Sequence, residues 1–265
     1  MCTIIVRHQM DEWCSTIVAS NRDEFYDRTA TGPAVLRSSP LIVGGRDVQE
    51  GGTWFGLTGE GLFVGLTNQR SFATRDDSLR SRGRLVLDAL GTGSLEGVTG
   101  YLRRLDPATY NDFNLIFGDG ERVCAAYSRR TAREVEFETL GSGVHVLCND
   151  RIGSPEFPKA SKARERVLAI GAKSWASIKS QLAEVLADGS LPNPWEVPPV
   201  PAGAPFDQDV ARYLQAICVK TPVYGTVSST LAAVSPGRVE QYCFADGAPS
   251  EVSFEDLVHL TQGAG

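Results

Sequence analysis

The sequence predicts an α+β fold in which antiparallel sheets are covered by helices that come in pairs. Three observations point there. Runs rich in β-branched residues are separated by short Gly- and Asp-containing turns, the spacing of hairpins. Amphipathic stretches occur two at a time between blocks of strands, where a parallel sheet would alternate single strands with single helices. No GxGxxG follows a strand and no GxSxG elbow occurs, so nucleotide binding and the α/β-hydrolase fold lose support.

The elements follow in order. Residues 3–7 and 15–20 read as strands of one hairpin, separated by the polar stretch 8–13. A short strand is expected at 41–44. Strands at 53–57 and 62–67 flank Thr58-Gly59-Glu60-Gly61, a strong turn signal. Helices at 84–90 and 95–105 form the first pair. Strands return at 114–117 and 123–127 around Gly118-Asp119-Gly120, and at 134–139 and 144–148 around Gly141-Ser142-Gly143. Residues 159–170 and 174–186 make the second helix pair. Residues 191–205 hold six prolines and read as a rigid exposed loop. A helix at 208–218 and strands at 227–234 and 239–244 complete the chain, with no internal repeat.

Composition narrows the function. The chain has 265 residues, 42% of them hydrophobic, enough for one sizeable core, and a single domain over 1–265 is expected. No stretch approaches the roughly eighteen apolar residues of a membrane helix, and the N-terminus has no basic n-region. A soluble cytoplasmic protein with no membrane span is therefore expected. The net charge is −6, and the densest basic stretch, 70–84, is interrupted by Asp76 and Asp77, so no nucleic-acid partner is expected. The six cysteines (2, 14, 124, 148, 218 and 243) form no CxxC pair and read as reduced and buried. No metal is expected.

Cys2 carries the most chemistry. A small residue after Met1 permits removal of the methionine, leaving an α-amine on the residue that bears the thiol. That amine, with a pKa near 8, can take the thiol proton without a histidine. Position alone favours a buried cysteine opening a strand. His8, six extended steps away, lies roughly 20 Å off and cannot pair with Cys2 within that strand. Folding the first two strands about residues 11–12 sets Cys2 opposite Asn21, within two residues, so Asn21-Arg22-Asp23-Glu24 gathers beside it. Asp23 could hold an α-ammonium there, and Arg22 could lower the thiol pKa or bind a carboxylate. Asn68 and Asn149 each end a β-rich run, where an amide can donate to an oxyanion or simply make a turn.

These residues together resemble the NRDE family, which includes the eukaryotic transport-and-Golgi-organisation proteins. The landmarks are Met1-Cys2-Thr3, Asn21-Arg22-Asp23-Glu24, Gly51-Gly52-Thr53-Trp54, Leu66-Thr67-Asn68, Ser81-Arg82-Gly83, Asn149-Asp150 and Tyr224-Gly225-Thr226 with Ser228-Ser229-Thr230. They run in order through most of the chain. The family in turn is similar to the cysteine-type N-terminal-nucleophile hydrolases, and this implies a four-layer αββα sandwich. The resemblance implies that Cys2 is the nucleophile, that Asp23 holds the α-amine, that Asn68 is the oxyanion donor and that Asn149 positions amine and substrate. Asn21, Arg22, Glu24, Trp54, Arg70 and Tyr224 are the implied substrate-side residues. Two positions depart from the pattern: Val227 stands where Arg usually follows Tyr-Gly-Thr, and Ser20 stands where the hydrolase branch carries Arg.

The function these residues imply is hydrolysis of a C–N amide or related acyl bond in a small molecule, without a cofactor. Arg22, Arg46 and Arg70, placed near the expected site, favour a substrate carrying a carboxylate. The alternative the resemblance implies is a ligand carrier for haem or lipid-related cargo, although no CxxCH attachment motif is present. A redox-sensing Cys2 is a third reading.

Overall fold

The computed structural model describes residues 2–72 and 75–262. The chain opens with β1 (Thr3–His8) and β2 (Thr16–Phe25), the expected hairpin. Next come β3 (Ala30–Ser38), β4 (Leu41–Asp47), β5 (Phe55–Thr58) and β6 (Phe63–Asn68), then α1 (Arg82–Leu90) and α2 (Leu95–Arg103). Strands β7 (Phe113–Gly118), β8 (Val123–Ser128), β9 (Glu136–Leu140) and β10 (Gly143–Leu147) precede α3 (Pro158–Leu168) and α4 (Trp175–Leu186). A short α5 (Gln208–Tyr213) leads into β11 (Tyr224–Ser235), β12 (Arg238–Ala245) and β13 (Glu255–Asp256).

The strands form two sheets whose pairings are all antiparallel. One has six strands in the order β10-β1-β2-β11-β12-β13, the other seven in the order β3 through β9. Strand alternation sends successive side chains to opposite faces, and the buried clusters sort by that rule. Ile4, Val6, Val18, Ala232 and Val234 meet Val43, Phe55, Phe63 and Ile116 between the sheets. Ile5, Ile17, Ala19, Leu231 and Ala233 pack under α3 and α4. Ile42, Val64, Leu66, Leu115 and Phe117 pack under α1 and α2. Three apolar interfaces in series make four layers, αββα, as the resemblance implies.

The differences from the sequence reading have physical reasons. Strand β2 continues past residue 20 to Phe25, so Asn21–Glu24 lies inside a central strand and not at its end. Its polar residues hide the strand signal because both faces of β2 are buried, and burial is usually read from apolar runs. Strand β3 was not expected: it is an edge strand, half-exposed along its length, with little apolar alternation to read. The segment 141–143 is not a hairpin turn, since β9 and β10 lie in different sheets and the chain crosses between layers there. The helix expected over 208–218 is helical only to Tyr213.

The two glycine landmarks position the site by backbone contact. A Cβ on Gly52 would stand 2.2 Å from the carbonyl carbon of Gly83, and Thr53 N donates to Gly83 O at 3.1 Å. The start of α1 is thereby pressed onto the loop that carries Trp54. Gly52→Ala is expected to cost about 1–3 kcal/mol, the range for overpacking a rigid contact, seen as a lower urea midpoint. Gly141→Ala, where a Cβ meets open space, should shift stability by no more than about 0.5 kcal/mol.

Candidate functional site

The register of β1 builds the site. Thr3 pairs with Asn21 of β2, and on the other side Ile4 pairs with Leu147. Continuing both ladders sets the part-buried Cys2 beside Arg22 on one flank and Asn149 on the other. Arg22 falls within the two residues either side of Asn21 expected opposite Cys2. Met1 lies outside the described residues. Burial pushes the Cys2 thiol above its ordinary pKa; the Asp23 carboxylate adds to this, while the backbone N–H of Asp23 and the Arg22 charge oppose it.

Alternation along β2 parts its polar residues. Asn21 and Asp23 follow Ile17 and Ala19 toward the helices, whereas Arg22 follows Val18 into the space between the sheets. Asn21 is fully engaged there: its Nδ2 donates to Leu186 O and Ile217 O, both at 2.9 Å, and its Oδ1 accepts from Ser229 Oγ at 2.6 Å. These bonds tie the end of α4 to the sheet, and the Asn21 amide points away from the cleft. Asp23 Oδ1 accepts from Thr226 Oγ1 at 2.7 Å, and its backbone carbonyl accepts from Tyr224 Oη at 2.8 Å. Lys159 Nζ stands 3.9 Å from Asp23 Oδ2, and neither side chain is exposed. Burial raises the Asp23 pKa above the usual carboxylate range, with Lys159 and Thr226 pulling against it.

A bulge makes the Asp23 contact possible. Thr226 pairs with Asp23 and Ser228 with Arg22, so Val227 is an extra residue between them. Without it, Thr226 and Ser228 would share a face. With it, Thr226 reaches Asp23 on the helix side and Ser228 follows Arg22 to the inter-sheet side. The position where the family pattern carries Arg is therefore the bulged residue itself. Ser20, the other departure, is buried in β2 between Ile4 and Thr230.

Between the sheets, the Arg22 guanidinium lies 4.3 Å above the Trp54 ring and 3.8 Å from Glu24 Oε2. Trp54 lies flat because its neighbour on β4 is Gly45, where a Cβ would come within 2.3 Å of the ring. The sheets are stitched together at this end. Thr67 Oγ1 donates to Cys148 O at 2.5 Å, Asn149 Nδ2 to Asn68 O at 2.7 Å, and Arg70 N to Asn149 O at 2.7 Å. Asn149 is buried and its Oδ1 accepts no hydrogen bond from any described residue. Asn68, last residue of β6, is exposed, and its side chain bonds to none of the described residues. Arg70 is engaged elsewhere: it pairs with Glu156 and stacks on Phe157 and Phe72 at 4.5 and 5.0 Å. Arg46 is exposed and shares a face with Ile42, away from the inter-sheet space. The structure thus gathers Cys2, Arg22, Asp23, Trp54, Asn149 and, through its backbone, Asn68, with Glu24 and Tyr224 at the margin.

Histidine is absent from this constellation. His8 and His145 sit at the other end of β1, where they pair with Gly143 and Val6. No three His, Cys, Asp or Glu among the described residues are grouped to hold a metal ion. Two residues without an expected role join the site. Lys159 falls on the buried stripe of α3 with Ala163 and Val167, and a lysine in register with apolar residues at i+4 and i+8 was the readable signal. Arg82 opens α1 from the Ser81-Arg82-Gly83 landmark and lies within electrostatic range of Cys2 and Glu24.

The four-layer αββα sandwich is like that of the N-terminal-nucleophile hydrolases. Solved structures share it. A Caenorhabditis elegans N-acylethanolamine-hydrolyzing acid amidase ortholog is similar with a TM-score of 0.56 at 16% identity, over 87% of this chain and 92% of that one. Penicillin V acylase from Agrobacterium tumefaciens is similar with a TM-score of 0.56 at 12% identity, over 99% and 88%. These likenesses establish the fold. The chain belongs to the Transport and Golgi organisation 2 family, whose model matches residues 1–243. The Bos taurus Transport and Golgi organization protein 2 homolog is 30% identical over 235 residues, covering 82% of this chain and 81% of its own. The Homo sapiens homolog is 31% identical over 232 residues with the same coverage.

The Lys159–Asp23 pair makes a pH-dependent prediction. Lys159→Met removes the cation that favours the Asp23 carboxylate, so the folded-state pKa of Asp23 rises further. A carboxyl with a raised folded pKa costs stability above its unfolded value near 3.9 and costs nothing below it. The variant should therefore lose roughly 2–4 kcal/mol at pH 7.5, with the deficit shrinking as pH falls toward 4. Urea melts across that range check it, and a deficit independent of pH would contradict the pairing.

Proposed function

We propose that this chain is an N-terminal cysteine hydrolase that opens a C–N amide or related acyl bond in a small molecule, after Met1 is removed. The observation that carries the reading is the buried, donorless Asn149 Oδ1 beside Cys2. Leaving such an acceptor unpaired costs about 1–3 kcal/mol, and an α-ammonium on Cys2 supplies the missing donor. The Asp23 carboxylate lies on the flanking strand β2, and Ser228 Oγ, buried and without a hydrogen bond among the described residues, lies on β11 beyond it. The solved structures of the same fold are described as an acid amidase, a conjugated bile acid hydrolase and a penicillin V acylase, which agrees with the reading.

The chemistry follows from the groups in place. A thiol with a raised pKa needs a base, and the α-amine of the same residue serves without a histidine. Cys2 Sγ attacks the acyl carbon as its proton passes to the amine. The carbonyl oxygen gathers negative charge, met by the Asn68 side-chain amide and backbone N–H groups. Collapse breaks the C–N bond, and the leaving nitrogen takes the proton from the ammonium. Water then adds to the thioester, gives a proton back through the amine, and releases a carboxylic acid and the thiol. No cofactor enters this scheme, and the reading places the protein in the cytoplasm.

Intact-mass measurement of the purified protein should find the chain without Met1, and an acylating fluorophore should label Cys2. Cys2→Ala should lower turnover of an amide substrate by roughly a thousandfold or more, as removal of a nucleophile does elsewhere. A chain that keeps Met1 and still hydrolyses the amide would end the self-base mechanism.

A further inference from the structure

Among the described residues, Arg22 and Arg82 lie within electrostatic range of Cys2, and Arg28 and Arg75 lie within range of Arg82; the latter two are spoken for. Arg28 places Nε and Nη2 on Asp47 at 2.9 and 2.6 Å. Arg75 reaches Glu50 at 3.2 Å and Asp77 at 2.7 Å. Arg22 and Arg82 have no such partner. The Arg22 side chain is 6% exposed, yet its guanidinium makes no hydrogen bond to any described residue. One face is covered by Trp54, and its sole ion-pair partner among the described residues, Glu24, stands at 3.8 Å and is shared with Arg28 at 3.6 Å. Arg82 gives one hydrogen bond, Nη1 to the neutral carbonyl of Asp112 at 3.0 Å. Burial, with Arg75 and Arg28 adding repulsion and Glu24 opposing, pulls its pKa down to about 10.

A buried guanidinium normally fills its fork with carboxylate or carbonyl oxygens, because its desolvation is costly otherwise. Here the fold holds Arg22 flat against an indole, leaving its donor edge unfilled, and brings Arg82 in by the backbone contact of Gly52 with Gly83. Both charges lie within electrostatic range of Cys2, and Arg22 sits directly across the ladder from it. Arg70 and Arg46, expected to serve this purpose, are turned elsewhere.

We propose that Arg22 and Arg82 form an anion-binding subsite that takes a carboxylate borne by the substrate close to the bond presented to Cys2. Resting on the hydrolase reading above, this names the substrate class as acyl compounds with a carboxylate near the scissile nitrogen. A carboxylate fits because its two oxygens accept parallel N–H bonds from the edge of a guanidinium whose face is stacked. Glu24 then keeps the empty subsite from holding two bare cations and yields to the ligand.

The test uses two chromogenic probes, N-butyryl-4-nitroanilide and the same anilide with a ring carboxylate. With the Met1-free protein, kcat/KM should favour the carboxylate probe by roughly tenfold or more, the value of one charge-assisted hydrogen bond. The preference should fall toward one in Arg22→Gln and in Arg82→Gln, and persist in Arg238→Gln, an exposed arginine at the β11–β12 turn. Calorimetric titration of both probes into Cys2→Ala protein reads the subsite without turnover. If neither probe is hydrolysed but the carboxylate probe binds selectively through Arg22 and Arg82, the hydrolase reading fails and the subsite stands. Equal binding of the two probes, or a preference that survives both substitutions, overturns the subsite. Should Arg22→Gln not fold, Arg82→Gln decides the matter.

Discussion

Two opposite charges on adjacent residues of a central strand, Arg22 and Asp23, set the terms for the rest of this structure. They cannot neutralise one another, because consecutive strand residues face opposite sides of the sheet. Each must be compensated from a different layer. Asp23 draws Thr226 from β11 and Lys159 from α3. Arg22 receives an indole face from the seven-stranded sheet and a distant glutamate from its own strand. The helix layer and the second sheet are thus both anchored, by charge, to the same two residues beside Cys2.

The bulge at Val227 is the device that lets one neighbouring strand answer both faces. A regular strand opposite Arg22 and Asp23 would present its hydroxyls to one side only. The extra residue shifts the alternation, so Thr226 serves the acid while Ser228 is left beside the arginine. Bulges are frequent next to active sites for this reason. The departure of this chain from the family pattern falls on a residue whose backbone is needed for the bulge whatever its side chain. The Thr226–Asp23 bond therefore survives the change from Arg to Val.

Much of this was legible in the sequence, and the legible part was local. The β1–β2 hairpin followed from two β-branched runs and a polar turn, and it sufficed to bring Cys2 beside Asn21–Glu24. The paired helices followed from their periodicity. What escaped was set by distant parts of the chain. Strand β3 is an edge with no buried face to pattern it, and β9 and β10 look like a hairpin until the open edges of two sheets claim them separately. Asn21 and Asp23 were equivalent as polar neighbours of a thiol, yet Asn21 is spent on the carbonyls of Leu186 and Ile217, which no local pattern announces. Lys159 was visible only as a misfit on an apolar stripe, and its reason lies on a strand more than a hundred residues earlier.

The polar groups left unsatisfied are themselves informative. A fold of this size normally pairs its buried polar atoms, since each orphan costs about 1–3 kcal/mol. Among the described residues, Asn149 Oδ1 beside Cys2 accepts no hydrogen bond, Ser228 Oγ makes none on β11, the next strand beyond β2, and the Arg22 guanidinium donates none. The unpaired acceptor of Asn149 beside Cys2 calls for a cation such as an ammonium. The unfilled donor edge of Arg22, on the other flank of Cys2, calls for an anion. The two deficits are opposite in sign and adjacent in space. They are complementary to a free N-terminus on one side and a carboxylate-bearing substrate on the other, with the thiol between them.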